Sequence, residues 1–207
     1  MTIETSKTLG GIGALLLVVS PFSFVAGVFG SVLGLVGLIL VLIAMKGLAD
    51  HYNEGGIFNN SLYGVILSIV GGVVFVIAIV MTAVSFLQDL GIDLSTDWSD
   101  PAVFSGINWT EAMILDTIMT HVGAILVSLV ILWIFAIVAA ILYRKSLTTL
   151  ANKTGVGLFG TAGLLLLIGA VLTIIAIGFL LIWIALILLT VAFFQIKKEP
   201  AQPMTTS

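Results

Sequence analysis

The chain contains no cysteine. Disulfides, thiolate metal sites and thiol nucleophiles are therefore excluded. Charge is nearly as scarce: Lys and Arg number 7, Asp and Glu 10, together 8% of 207 residues. A soluble domain carries about 25% charged residues, and this chain has far too few to solvate its surface. That shortage excludes a soluble enzyme, a nucleic-acid-binding protein and a disordered chain. Cations are missing altogether between Lys46 and Arg144. No Asp, Glu, Lys or Arg falls in the middle of any long apolar run. A charge at the bilayer centre costs about 3 kcal/mol on insertion scales, so chains that keep one usually use it for ions, protons or substrates. A proton-coupled pump is disfavoured; a pore lined by backbone carbonyls or a path for apolar cargo is not.

What is present is apolar: 60% of the residues are hydrophobic. A spanning helix needs about 20 such residues. The charge-free runs Thr8–Met45 and Thr154–Ile196 are each long enough for two spans. Gly55–Gln88 and Thr117–Tyr143 supply one each, because Gly55–Ser61 is polar and turn-rich. The chain reads as an all-α, six-helix transmembrane bundle forming a single membrane domain. Its expected spans are about 9–25, 27–45, 62–86, 122–143, 158–177 and 179–194. Pro21-Phe22-Ser23-Phe24 reads as the first hairpin turn, and the last hairpin breaks near Gly178. No small-residue cleavage site follows the first apolar stretch, which reads as a span and not as a signal peptide.

Six spans place Lys7, Lys46, Arg144, Lys145, Lys153, Lys197 and Lys198 on one side. The excess of basic residues marks that side as cytoplasmic, with both termini inside a cell membrane. Asp89, Asp93, Asp97, Asp100, Glu111 and Asp116 lie in or beside one acidic outer loop, about 88–111. Asn108-Trp109-Thr110-Glu111 reads as a capping box opening the fourth helix near Trp109. The same Asn108-Trp109-Thr110 is a sequon for N-glycosylation on the outer side.

Few residues could carry chemistry. His121 stands at the outer rim of span four, five residues after Asp116. One histidine and one carboxylate cannot close a metal shell, so the expectation is no metal and no cofactor. His51 with Asp50 and Glu54 reads as a solvated loop cluster. No phosphate-binding loop, nucleophile elbow or HExxH occurs, so no catalytic residue is assigned. Ala26, Gly30, Gly34 and Gly37 form a small-residue face on span two. It would serve either a dimer interface or packing against a neighbouring span. Gly10-x-x-Gly13 before Leu15-Leu16-Leu17 matches Gly160-x-x-Gly163 before Leu165-Leu166-Leu167, a candidate parallel repeat of the two terminal hairpins. Trp133 and Trp183 fall mid-span, away from the interfacial belt, and would pack against each other or against lipid.

The most distinctive stretch is Lys46-Gly-Leu-Ala-Asp-His-Tyr-Asn-Glu-Gly-Gly-Ile-Phe-Asn-Asn-Ser-Leu-Tyr63. With Gly34–Met45 before it and Lys7-Thr-Leu-Gly-Gly-Ile-Gly13 opening the chain, it resembles the largely archaeal membrane proteins grouped as domain of unknown function 996. The resemblance is clearest over residues 7–85 and implies a multi-pass membrane protein with nothing catalytic. It also points to the cytoplasmic loop 46–61, where Gly55-Gly56 and Asn59-Asn60 suit a tight turn and a cap. The functional expectation is a non-enzymatic accessory or scaffold subunit, with the lipid bilayer and membrane-protein subunits or a second copy as partners. The alternative is a small transporter or channel for a neutral or weakly polar solute.

Overall fold

The computed structural model describes residues 1–22, 28–89, 92 and 111–197; side chains are described from residue 32 in the second helix and, residue 117 excepted, from 115 in the fourth. Every regular element among the described residues is helical. The helices are α1 Ile3–Val19, α2 Val28–His51, α3 Gly55–Asp89, α4 Glu111–Thr154, α5 Leu158–Leu172 and α6 Ile177–Gln195. Six helical segments are long and apolar enough to cross a membrane, α1 and α5 being extended by short 3-10 turns. At 35 and 44 residues, α3 and α4 measure about 52 and 66 Å by their helical rise, well beyond the roughly 30 Å of a hydrocarbon core.

The chain divides into two compact units: a terminal unit, Met1–Leu67 with Ile137–Ser207, and a middle unit, Ser68–Ala136. Neighbouring helices of the terminal unit run antiparallel. Gly13 of α1 and Gly37 of α2 meet so closely that a Cβ on either would lie 2.7 Å from the other's carbonyl oxygen. Gly10 lies under the Phe193 ring of α6, and Gly163 of α5 rests on Arg144 and Leu147 of α4. Lipid tails are as apolar as leucine, so such close approach, with its dispersion contacts, replaces the hydrophobic drive of a soluble core. The core gathers Ala44, Leu48, Ile57, Leu150, Phe159 and Phe193, all fully buried. Phe159 and Phe193 meet edge to face at 5.1 Å. This core joins the start of α1, α3 and α5 to the end of α2, α4 and α6. The basic residues cluster at the same end, at the start of α1 and at or just past the ends of α2, α4 and α6.

In the middle unit, α3 and α4 continue as an antiparallel pair. Gly71 receives the Phe135 side chain, and Phe86 meets His121 edge to face at 5.7 Å. Most large apolar side chains here are exposed, among them Val76, Met81, Val127 and Ile134. Helices apolar on every face are compatible with a membrane span.

Three boundaries differ from the sequence expectation. The loop expected over Lys46–Asn60 is only Tyr52–Glu54. The i,i+4 ion pair of Lys46 with Asp50, 2.7 Å, lies within the polar last turns of α2, so the helix outlasts its apolar stretch. The left-handed residue there is Asn53, φ 51°, not a glycine. Glu54 N–H returns to the Ala49 carbonyl at 2.9 Å, as in a Schellman cap. Gly55-Gly56 instead opens α3, and Asn60 Nδ2 donates to the Gly56 carbonyl. In the last hairpin, the break falls at Thr173–Ala176, with Ala176 left-handed at φ 63°. Gly178 lies inside α6, where the backbone of Gly169 and Thr173 leaves no room for a Cβ. Finally, α4 runs on through Arg144 and Lys145 to Thr154.

Candidate functional site

The polar chemistry of the terminal unit collects where its basic helix ends meet. Lys7 Nζ donates to the Ile196 carbonyl at 2.8 Å, so a cation from α1 caps the negative end of α6. Lys153 Nζ lies 3.3 Å from Glu54 Oε2, tying the end of α4 to the turn after α2. Lys46 sits 5.6 Å from the centre of the Phe58 ring, within cation–π range, while bonded to Asp50. His51, exposed like Asp50 beside it, meets the neighbouring Tyr52 ring edge-on at 4.9 Å.

Beneath these exposed charges lies a buried polar link between α3 and α4. Ser146 Oγ donates to the Ile57 carbonyl. That uses its one hydroxyl hydrogen, so Ser61 Oγ donates to Ser146 Oγ, 2.8 Å away. Both serines are buried. Hydropathy does not single out this pair, because Ser61 closes a polar, turn-rich stretch and Ser146 directly follows Arg144-Lys145. Among the described residues, no buried side-chain N or O atom lacks a hydrogen-bond partner.

A cleft of about 330 Å³ opens between α2 and α3 at the same end. Apolar Ile39, Leu42, Ile43, Phe58 and Leu62 line it together with Met1, Gly47 and the charged Lys46 and Asp50.

The other histidine belongs to the middle unit. His121 Nε2 lies 3.6 Å from Asp89 Oδ2, and its ring is almost fully buried. The acidic neighbour comes from the end of α3, not from Asp116 of its own helix. No group of three metal-ligating side chains occurs among the described residues. Of the small-residue face, Gly34 lies by Ser20 and Gly37 by Gly13. Ala26 and the surroundings of Gly30 lie outside the described residues, as do Asn108 and its sequon. The glycines of the candidate repeat do different work: Gly13 meets α2 and Gly10 meets α6, whereas Gly163 meets α4 and Gly160 lies near Ala151. Trp183 has partners within the terminal unit. Its Nε1 donates to the Val18 carbonyl at 3.1 Å, and its ring meets Phe22 at 5.5 Å.

A model for proteins of unknown function, DUF996, matches residues 33–187. The chain belongs to that family. The match extends past the stretch where the likeness is plainest by eye, through the long α3–α4 pair and into α6. An uncharacterized protein of Methanocaldococcus jannaschii is 29% identical over 201 residues, covering 96% of both chains. No solved structure matches the chain.

Proposed function

We propose that this family member is a non-enzymatic, multi-pass membrane protein that acts by helix packing, as an accessory or scaffold subunit of a membrane complex. One contrast supports the reading. Within the helices, Gly13, Gly37, Gly163 and Gly169 of the terminal unit and Gly71 of the middle unit are filled by the chain's own atoms, whereas a Cβ at Gly72 or Gly123 of the middle unit would meet nothing within 4 Å. Glycine inside a helix costs about 1 kcal/mol relative to alanine. Where no intramolecular contact uses it, a close-approaching helix from another chain is the natural beneficiary. The proposed orientation puts the basic helix ends in the cytoplasm of a cell membrane, with both termini inside and Asn108 outside.

The test is purification from native membranes in mild detergent, followed by mass spectrometry of what stays bound. A stoichiometric partner chain, lost on Gly72→Leu or Gly123→Leu while the fold persists, is the expected result. Purification alone, with solute flux in liposomes, would overturn the reading in favour of transport.

A further inference from the structure

We infer that the turn joining α5 to α6 does not surface: it ends within the leaflet opposite the basic helix ends, where acyl chains cover its exposed Ile174, Ile175, Ile177 and Phe179. The inference rests on a membrane location and not on the subunit reading. All the residues concerned belong to the terminal unit.

Composition separates this turn from those at the basic end. A turn in water is built from residues that bond their own backbone or accept a left-handed conformation, and most of them are polar. Asn53 is left-handed beside Glu54, and Gly155 is left-handed at φ 70° after Lys153 and Thr154. At the opposite end, apolar Ala176 takes the left-handed position, after Thr173, Ile174 and Ile175. From Gly155 to Phe194 the sequence has no charged or amide side chain. Thr173 supplies the hydroxyl of the turn, and its Oγ1 donates to the Ala170 carbonyl at 2.7 Å. The backbone also bonds to itself. Ala176 N–H donates to the Thr173 carbonyl at 3.0 Å, and Phe179 N–H to the Ala176 carbonyl at 3.2 Å. Polar groups bonded internally are what a hydrocarbon solvent demands. The apolar side chains, by contrast, face outward: Ile174 is 68% and Phe179 66% exposed.

Length sets the depth. Over 15 and 19 residues, α5 and α6 rise about 22 and 28 Å, against roughly 30 Å of hydrocarbon. Any tilt shortens both. The Lys7 ammonium, bonded to the Ile196 carbonyl, keeps the foot of α6 at the headgroups. The first turns of α5 run beside cationic sequence, since Gly163 rests on Arg144, which is exposed like Lys145. From Gly163 to Ala176 the chain rises only about 20 Å. An arginine stem can snorkel back toward the headgroups and narrow that gap, but α6, the longer helix, still falls short.

The chain has no cysteine, so one introduced cysteine reports one position. The experiment uses the full chain carrying Ile175→Cys, Ile168→Cys or Asn152→Cys, all at exposed positions, spin-labelled and reconstituted into dioleoylphosphatidylcholine vesicles. Power saturation compares collisions with oxygen, which concentrates in hydrocarbon, and with water-soluble nickel ethylenediaminediacetate. The label at position 175 should favour oxygen, as at 168 in the middle of α5, whereas at 152 it should favour the nickel complex. In dilauroylphosphatidylcholine, a thinner bilayer, the label at 175 should gain access to the nickel complex. Nickel access at 175 equal to that at 152 in the dioleoyl vesicles would overturn the proposal. So would an unchanged signal at 175 in the thinner bilayer, because protein and not lipid would then cover the turn. Nickel access at 168 as high as at 152 would remove the membrane location itself. Loss of a partner chain from Gly72 or Gly123 leaves all these signals unaffected, so the two proposals fail separately.

Discussion

Trp183 Nε1 donates to the Val18 carbonyl oxygen at 3.1 Å, joining the first half of α6 to the last turn of α1. A carbonyl there lies among those that lack an in-helix donor, and in an apolar medium an interhelical donor is worth having. Trp183→Phe keeps the ring contact with Phe22 and removes the hydrogen bond. Such bonds are worth about 1 kcal/mol inside membrane proteins. The variant should therefore unfold at a lower temperature in detergent, followed by circular dichroism; an unchanged midpoint would mean that the bond contributes nothing.

The glycine contact of α1 with α2 should be intolerant. Gly37→Leu places a branched side chain against the Gly13 carbonyl and Leu16, and backbone cannot yield cheaply there. Overpacking of this kind costs about 1–3 kcal/mol or more. Gly72→Leu, with nothing within 4 Å of the new Cβ, should instead leave the isolated chain as stable or more stable, by up to about 1 kcal/mol from the better helix former. Thermal midpoints of the two variants, measured side by side, separate the cases.

Ser146 carries a bond to the Ile57 carbonyl and accepts one from Ser61. Ser146→Ala removes the buried partner of the Ser61 hydroxyl and the second donor to the Ile57 carbonyl, which keeps its in-helix N–H, at a cost of about 1–3 kcal/mol. A lowered unfolding midpoint, absent in a control such as Thr148→Ala at an exposed position, is the expected outcome.

Labelling tests the orientation, and burial decides which positions report it. Ser146 is fully enclosed, so a cysteine there should resist a water-soluble maleimide until the protein is denatured. Asn152→Cys, on the exposed side of the end of α4, should label only after permeabilisation of intact cells. Ser95→Cys should label without it. The reverse pattern for these last two sites would sink the proposed topology.

Ala176 adopts a left-handed conformation at the tight turn between α5 and α6. An L-residue there costs about 1–2 kcal/mol. Ala176→Gly removes that strain and gives back about 0.5 kcal/mol through a more flexible unfolded chain. A modest net gain in stability is expected, visible as a raised thermal midpoint.

Six apolar helices were legible in the sequence because each run is bounded by charges or turn residues, and bilayer length fixes how many spans a run can hold. Helix ends were not legible, because hydropathy sees where apolar residues stop and not where backbone hydrogen bonds stop. The pair Lys46–Asp50 lies in a polar turn that still belongs to α2. Glycine misled at Gly178 for a related reason: it permits both turning and close approach, and only the neighbouring Gly169 backbone decides between them. Of the sites, the family resemblance drew notice to the stretch 46–61. Its contact with Ser146 across α3 and α4 was not, since nothing local links positions so distant in the chain. The same holds for His121, whose partner Asp89 comes from the end of another helix and not from one turn away on its own.

The bond from Lys7 to the Ile196 carbonyl brings the last helix back to the first. Within the terminal unit the helices thus form a ring, each next to its successor and the sixth next to the first. A ring has no intrinsic starting point. Synthesis order from α1 to α6 is then a matter of gene structure more than of architecture: a chain opened at Asn53, with its present ends joined by a flexible linker, keeps every helix between the same two neighbours.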